Sequence, residues 1–189
     1  INADEIIEKL EKRIFLESKE RNTDLDDASL NEIAHNVANG TIRYELIKPD
    51  LDKIITFDIN TSLKLEGDTC SYIQYSCVRA ARILEKSDKK PDFNASFDQL
   101  NTQHDLNLIK QIGMFEIFVN DAAKNYSPKV IAKYCYGLAV TFSSFYEHVK
   151  VLKAETPELV NARLCLVLSF GLTLEKALDL LGITVPQRM

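Results

Sequence analysis

The chain has 189 residues, 46% hydrophobic and 27% charged, enough for one domain or one and a half with a core that needs neither disulfide nor metal staples. Six Gly and five Pro are few turn residues for an all-β sandwich, and no apolar run approaches the roughly 18 residues of a membrane span. The net charge of −5 taken alone argues against a nucleic-acid binder.

The elements read in chain order as helices. Ile6, Ile7, Leu10, Ile14 and Phe15 recur at helical spacing between Asn2 and about Glu20, with Asn2 as the capping residue and Asp4 and Glu5 at the positive helix end. After the polar break at residues 21–24, Leu30, Ile33, Ala34 and Val37 mark a second helix. It is expected to bend near Gly40 and to end at Lys48-Pro49-Asp50. Ile54-Ile55-Thr56-Phe57 is β-prone without a partner strand and reads as an extended connector. Asp58 or Asn60 then caps a helix of one or two turns, and Ser71 to Lys86 reads as a strong helix. Residues 86–98 are polar and Pro-punctuated, the best linker in the chain.

One long helical pattern then runs from Leu106 to near Tyr126. Ser127-Pro128 and Thr156-Pro157 are two helix starts of the same kind, a capping hydroxyl followed by Pro at the first helical position. The last helical stretch, Val160 to Leu181, has Gly171 as a point of interruption and Gly182 where a left-handed terminal residue belongs. The pattern predicts an all-α fold, an antiparallel bundle with short joints.

The four cysteines, Cys70, Cys77, Cys135 and Cys165, form no C-x-x-C pair and have no His at metal-ligand spacing, so they read as reduced core thiols. No P-loop, Rossmann, H-E-x-x-H or G-x-S-x-G motif occurs. His35, His104 and His148 fall on separate segments and read as surface or boundary residues. Chemistry alone describes a helical binding module. Its charge is uneven: residues 1–69 hold 9 Lys+Arg against 16 Asp+Glu, a balance of −7, and residues 70–189 hold 14 against 12, a balance of +2. The second part can therefore present a local basic face.

Five blocks carry a family resemblance. They are Gly40-Thr41-Ile42-Arg43-Tyr44; Ile55-Thr56-Phe57-Asp58; Leu65-Glu66-Gly67-Asp68-Thr69 running on to Tyr72-Ile73-Gln74-Tyr75 and Arg79; Phe142-Ser143-Ser144-Phe145-Tyr146; and Leu181-Gly182-Ile183-Thr184-Val185-Pro186-Gln187-Arg188-Met189. In this order they resemble arginyl-tRNA synthetase, the part containing its helical, DALR-type anticodon-binding domain. The family usually has Pro before the first tyrosine. Here Cys70-Ser71-Tyr72 lacks it, so the start of that helix is expected to be less fixed.

The resemblance implies the helical bundle of the class I aminoacyl-tRNA synthetase anticodon-binding type, with residues 1–54 as a connector after the catalytic core and 55–189 as the anticodon-binding domain. It implies ATP-dependent arginylation by a full enzyme. The family's nucleotide-binding signatures are absent from this sequence, which also begins without Met, so a catalytically inactive part of a longer chain is expected. Its expected partners are arginine-specific tRNA and the catalytic domain of the same polypeptide. ATP and arginine belong to the full enzyme, no cofactor or metal to this part, and the location is cytoplasmic with no membrane.

At matched positions the resemblance assigns anticodon binding to Tyr72, Tyr75, Arg79, Tyr146 and Met189. The spacings of three and four put Tyr72, Tyr75 and Arg79 on one helical face. Tyrosines stack on unpaired bases, Arg79 meets phosphate or a base edge, and Met189 adds a flexible apolar wedge and a terminal carboxylate. Lys124, Lys129 and Lys133 can form a basic strip at a helix joint; the pattern reads first as a solvated face, with phosphate contact by Lys129 and Lys133 as the second reading. A tyrosine stripe is equally the pattern of core packing, and a helical scaffold that binds a protein partner is the alternative. Gln74 and Arg82 read as surface residues, Tyr134 as core, and Arg163 as paired internally with an acid.

Overall fold

The computed structural model describes residues 2–189. It contains eight helices and no strand among these residues: α1 Ala3–Arg21, α2 Asp27–Ile47, α3 Ile59–Ser62, α4 Cys70–Glu85, α5 Gln103–Gly113, α6 Phe115–Lys124, α7 Pro128–His148 and α8 Pro157–Leu180.

Most starts follow local chemistry. The side chains of Asp26, Asp58, Thr69, Thr102 and Thr156 each accept from a backbone N–H of the first turn of the helix they precede. Thr102 and Asp105 complete a capping box. Thr69 therefore fixes the start of α4 without the missing Pro, and its hydroxyl also donates to the Lys64 carbonyl at 2.7 Å. Asn2 and Ser127 occupy the expected cap positions, but neither side chain makes a cap bond among the described residues. At Ser127 the Pro128 ring does the work, since the first helical position then has no N–H to satisfy.

Three expectations about continuity are corrected. α2 passes through Gly40 without a break, because this glycine serves a close approach: a Cβ there would lie 2.9 Å from Gln74 Nε2, 3.0 Å from Cys70 Sγ and 3.1 Å from Ile183 Cγ2. α8 likewise passes through Gly171. The single helix expected over 106–126 is two, separated at Met114. There the Tyr134 hydroxyl donates to the Gln111 carbonyl at 3.0 Å and stands 3.4 Å from that of Ile112, taking up carbonyls that end α5. Gly182 has φ +66°, and its N–H and that of Ile183 return to Asp179 and Leu178, closing α8 as expected.

Side-chain pairs give the helix directions. His35 meets Glu11 and Asp27 meets Lys19, so α1 and α2 form an antiparallel hairpin. Tyr134 near the start of α7 meets the end of α5, while His148 at its end stacks on His104 at the start of α5, so these two are antiparallel. Phe142 of α7 stacks on Phe170 of α8 with ring centres 3.8 Å apart. The exception is α4 beside α7, which run the same way: Tyr72 meets Tyr136, and Arg79 further along meets Tyr146.

Two apolar clusters result. The larger draws on α4, α5, α7, α8 and the tail, with Phe142, Phe145, Phe170, Leu138, Leu164 and Leu174 fully buried. The smaller holds Leu10 and Ile14 of α1 against Ile33, Ala34, Val37 and Ala38 of α2. α2 belongs to both, since its Tyr44 lies in the larger one. The expectation that no stretch approaches a membrane span is corrected at α8, which is long and apolar enough by length and composition alone to cross a bilayer; half of that stretch is buried inside this bundle.

Residues 86–102 are irregular but fastened. Asn161 of α8 holds both backbone groups of Asp92, accepting from its N–H and donating to its C=O, each at 2.9 Å, and Thr156 donates to Gln99. At the end of this segment Thr102 donates to Asp105, which forms a buried ion pair with Arg163, Nε to Oδ1 at 3.3 Å. Tyr134 is core and Arg163 pairs internally, both as expected. All four cysteines are free and buried, and burial raises each thiol, that of Cys135 to about 12.

Candidate nucleic-acid interface

α4 is amphipathic in an unusual sense, with one face sunk in the protein and the adjoining face half-exposed. Cys70, Ser71, Gln74, Cys77 and Val78 are buried, whereas Tyr72, Tyr75 and Arg79 are half-buried. Their spacing keeps the last three on one stripe of the helix. α7 lies alongside in the same direction, so side chains of both helices meet in register.

Three of the five expected binding residues come together. The Arg79 guanidinium carbon lies 4.7 Å from the ring centre of Tyr75 and 4.8 Å from that of Tyr146. Both distances are within cation–π range. Tyr146 is 44% exposed, and the Arg79 side chain makes no hydrogen bond or ion pair among the described residues. Tyr72, one turn earlier, meets the edge of Tyr136, ring centres 6.1 Å apart at 63°. Tyrosine and arginine therefore form a row where α4 and α7 meet: aromatic faces on which a planar base can stack, and guanidinium donors not engaged among the described residues.

The blocks that carry the resemblance also meet one another. The buried Tyr44 hydroxyl donates to Asp68 Oδ1 at 2.6 Å and contacts the Ala132 carbonyl at 3.3 Å, and burial, then Asp68, raise its pKa. Gln74 is fully buried, a correction to its reading as a surface residue. Its Nε2 donates to the Thr184 carbonyl of the tail at 2.7 Å and lies 3.4 Å from that of Asn36 in α2. Arg82 is exposed, as read.

The DALR anticodon binding domain family matches residues 73–189, more than half of the chain. The chain belongs to this family. Over its whole length it is 36% identical to an arginine–tRNA ligase of Methanothrix thermoacetophila, of which it covers 34%, and 38% identical to that of Borrelia hermsii, of which it covers 32%. It also resembles the arginyl-tRNA synthetase structure of Thermus thermophilus, with TM-score 0.88 and 34% identity over all of this chain and 32% of that one. The chain spans about a third of the length of the curated relatives it matches.

In this DALR domain chain, Met189 is placed apart from the contacts of the arginine-centred trio. It packs on the smaller cluster and lines a small cavity with Ile14, Ile33, Val37, Leu63 and Ser71, the last being the neighbour of Tyr72. Lys129 is engaged by Asp50, whose carboxyl is held below its usual value by that ammonium. Lys133, one turn further along α7, is exposed. Spacing along α4 does not reveal Tyr136 of α7 as the partner of Tyr72. The histidines are surface or boundary residues on separate helices, as read, with His35 and His148 exposed and His104 half-buried. Spacing does not reveal that His104 and His148 stack with ring centres 4.4 Å apart, the Ser144 hydroxyl of α7 3.3 Å from His104 Nδ1 and Nδ1 of His148 donating to the Ser144 carbonyl at 2.8 Å. Helical spacing carries no information about pairs made between α4 and α7 or between α5 and α7.

Proposed function

We propose that this domain binds the anticodon loop of an arginine-specific tRNA, as part of a longer arginine–tRNA ligase that uses ATP to join arginine to that tRNA. The observation that supports this best is the half-exposed Tyr75–Arg79–Tyr146 cluster within the span that matches the DALR family. Unpaired anticodon bases offer π-faces and open Watson–Crick edges, the features that protein side chains read in single-stranded RNA. Tyr72, Tyr75 and Tyr146 supply stacking, each worth roughly 1–3 kcal/mol per base. Arg79 supplies donors to phosphate or a base edge. From beside Ser71 at the start of α4, Met189 adds its apolar side chain, and Lys133, with Lys129 once released from Asp50, meets backbone phosphate.

In this reading residues 1–54 connect to the catalytic part of the same cytoplasmic polypeptide. ATP and arginine bind there, and this part carries no cofactor, metal or aminoacylation activity of its own. The test is fluorescence anisotropy of the chain with an arginine-tRNA anticodon stem–loop at low salt, beside a loop with the middle anticodon base changed. Tighter binding of the unchanged loop, weakened by Tyr146→Ala and by added salt, is expected. Equal binding of both loops, or no binding, overturns base recognition by this domain.

A further inference from the structure

We propose that Arg79 is a positioning residue, a brace that fixes the exposed Tyr146 ring relative to Tyr75 before any ligand arrives. This rests on the RNA-binding reading of the same cluster and adds how its geometry is held.

The observations concern what each side chain does and leaves undone. Tyr75 and Arg79 belong to α4, four residues apart, whereas Tyr146 comes from α7. One guanidinium serves both rings, 4.7 and 4.8 Å from their centres. An arginine on a protein surface ordinarily spends its donors on carboxylates or carbonyls. This one spends none among the described residues, although Glu147 sits on α7 beside Tyr146 and instead faces Ser143 at 3.4 Å. The Arg79 side chain is thus held by the two aromatic rings and its own stem. Neither the Tyr75 nor the Tyr146 hydroxyl has a hydrogen-bond partner among the described residues, so no polar contact pins the exposed ring in place of the arginine.

A brace of this kind has a defined consequence. An exposed tyrosine loses rotamer freedom when a base stacks on it, and that loss subtracts from affinity. A ring already held by a guanidinium has lost most of it beforehand. The planar, delocalised guanidinium can contact two ring faces and keep its N–H edge free for an acceptor on the stacked nucleotide. A lysine ammonium is a compact charge on a flexible stem and does neither. Charge and brace are therefore separable by Arg79→Lys.

The test has an RNA-free arm and an RNA arm. In the first, the chain is labelled with 3-fluorotyrosine, and the ¹⁹F signal of Tyr146 is assigned by its loss in Tyr146→Phe. The expected result is a signal displaced from that of free tyrosine in the parent chain and moved back toward it in both Arg79→Ala and Arg79→Lys, with the melting profile kept. A Tyr146 signal that neither substitution moves overturns the brace, whether or not the chain binds RNA. In the second arm, a stem–loop carries 2-aminopurine at an unpaired anticodon position, where stacking quenches its emission. Arg79→Lys is expected to keep the salt dependence of binding but to lose the quench and roughly tenfold in affinity. Arg79→Ala and Tyr146→Ala are expected to be strongly non-additive. Full quenching by Arg79→Lys, or additive single effects, overturns the brace. A parent chain that shows the ¹⁹F displacement but binds no loop would instead overturn the RNA reading and leave the brace standing.

Discussion

Replacing Arg163 by methionine strands a buried carboxylate, and the size of the loss follows from its surroundings. Asp105 is fully buried, and its oxygens lie 3.3 Å from Arg163 Nε and 3.4 Å from Nη2. Methionine refills much of the arginine stem, so the cavity contribution is small and the electrostatic one is isolated. Removing one partner of a buried ion pair costs about 3–5 kcal/mol. Two features favour the lower end. The contacts are long for charge-assisted bonds, and Thr102 still donates its hydroxyl at 2.6 Å and its N–H at 3.2 Å to the same carboxylate. The loss of the bond from Arg163 Nη1 to the Lys150 carbonyl, 3.1 Å, adds little because Lys150 is exposed. The expected cost is about 3 kcal/mol, which for a domain of this size lowers Tm by roughly 6–12 °C. Circular dichroism at 222 nm, with heat and with urea, measures both. Adding Asp105→Asn removes the stranded charge while its amide oxygen still accepts from Thr102, so the double variant should recover part of the loss. A cost below about 1 kcal/mol for Arg163→Met, or a double variant less stable than the sum of the singles, would refute the reasoning.

Three further outcomes are expected. Gly40→Ala gains roughly 1 kcal/mol of helix propensity but overpacks against Gln74, Cys70 and Ile183 at about 1–3 kcal/mol, for a net loss near 1 kcal/mol on urea denaturation; a net gain would contradict the close approach. Thr69→Ala removes the cap of α4 and should cost about 1 kcal/mol, with hydrogen exchange accelerated in the first turn of α4; unchanged exchange there would mean that another group holds the helix start. The four thiols, buried and raised in pKa, should react with an aromatic disulfide reagent only as fast as the chain opens, and at once in denaturant; one rapid equivalent in the folded chain would show a thiol that the fold leaves open.

The parts of the fold legible in the sequence are those decided within a few residues. Pro128 and Pro157 mark their helices because a missing N–H is tolerated only at a helix start. Gly182 marks an end because its φ of +66° suits glycine. The parts that were not legible depend on groups distant in the chain. The break at Met114 needs the Tyr134 hydroxyl, twenty-odd residues on. Gly40 looks like a helix weakness until Gln74 and Ile183 are seen against it. Gln74 looks like a surface amide because its partners, a tail carbonyl and an α2 carbonyl, are invisible to periodicity. For the candidate site, spacing placed Tyr72, Tyr75 and Arg79 on one stripe of α4. Only packing shows that Tyr146 joins Arg79 and that Met189 packs elsewhere.

The motif residues thus divide between two tasks, and α4 couples them. Gly40, Tyr44, Asp68, Thr69, Gln74 and Gly182 fasten α2, the turn before α4 and the tail, while Tyr75, Arg79 and Tyr146 form the open row. Gln74 is next in sequence to Tyr75, and its bond to the Thr184 carbonyl is the direct link from the tail that ends in Met189. The opposite end of that amide, Oε1, is buried without a partner among the described residues, as are the hydroxyls of Thr41 and Ser71. Desolvating such groups is costly, so this joint is held by geometry more than by saturated hydrogen bonding. Gly40 supplies the geometry by letting the amide lie against the α2 backbone. A side chain there would push Gln74 from Thr184, loosen the tail and disturb α4 one residue before Tyr75, whose ring meets Arg79. The open row is therefore only as well placed as the joint buried behind it.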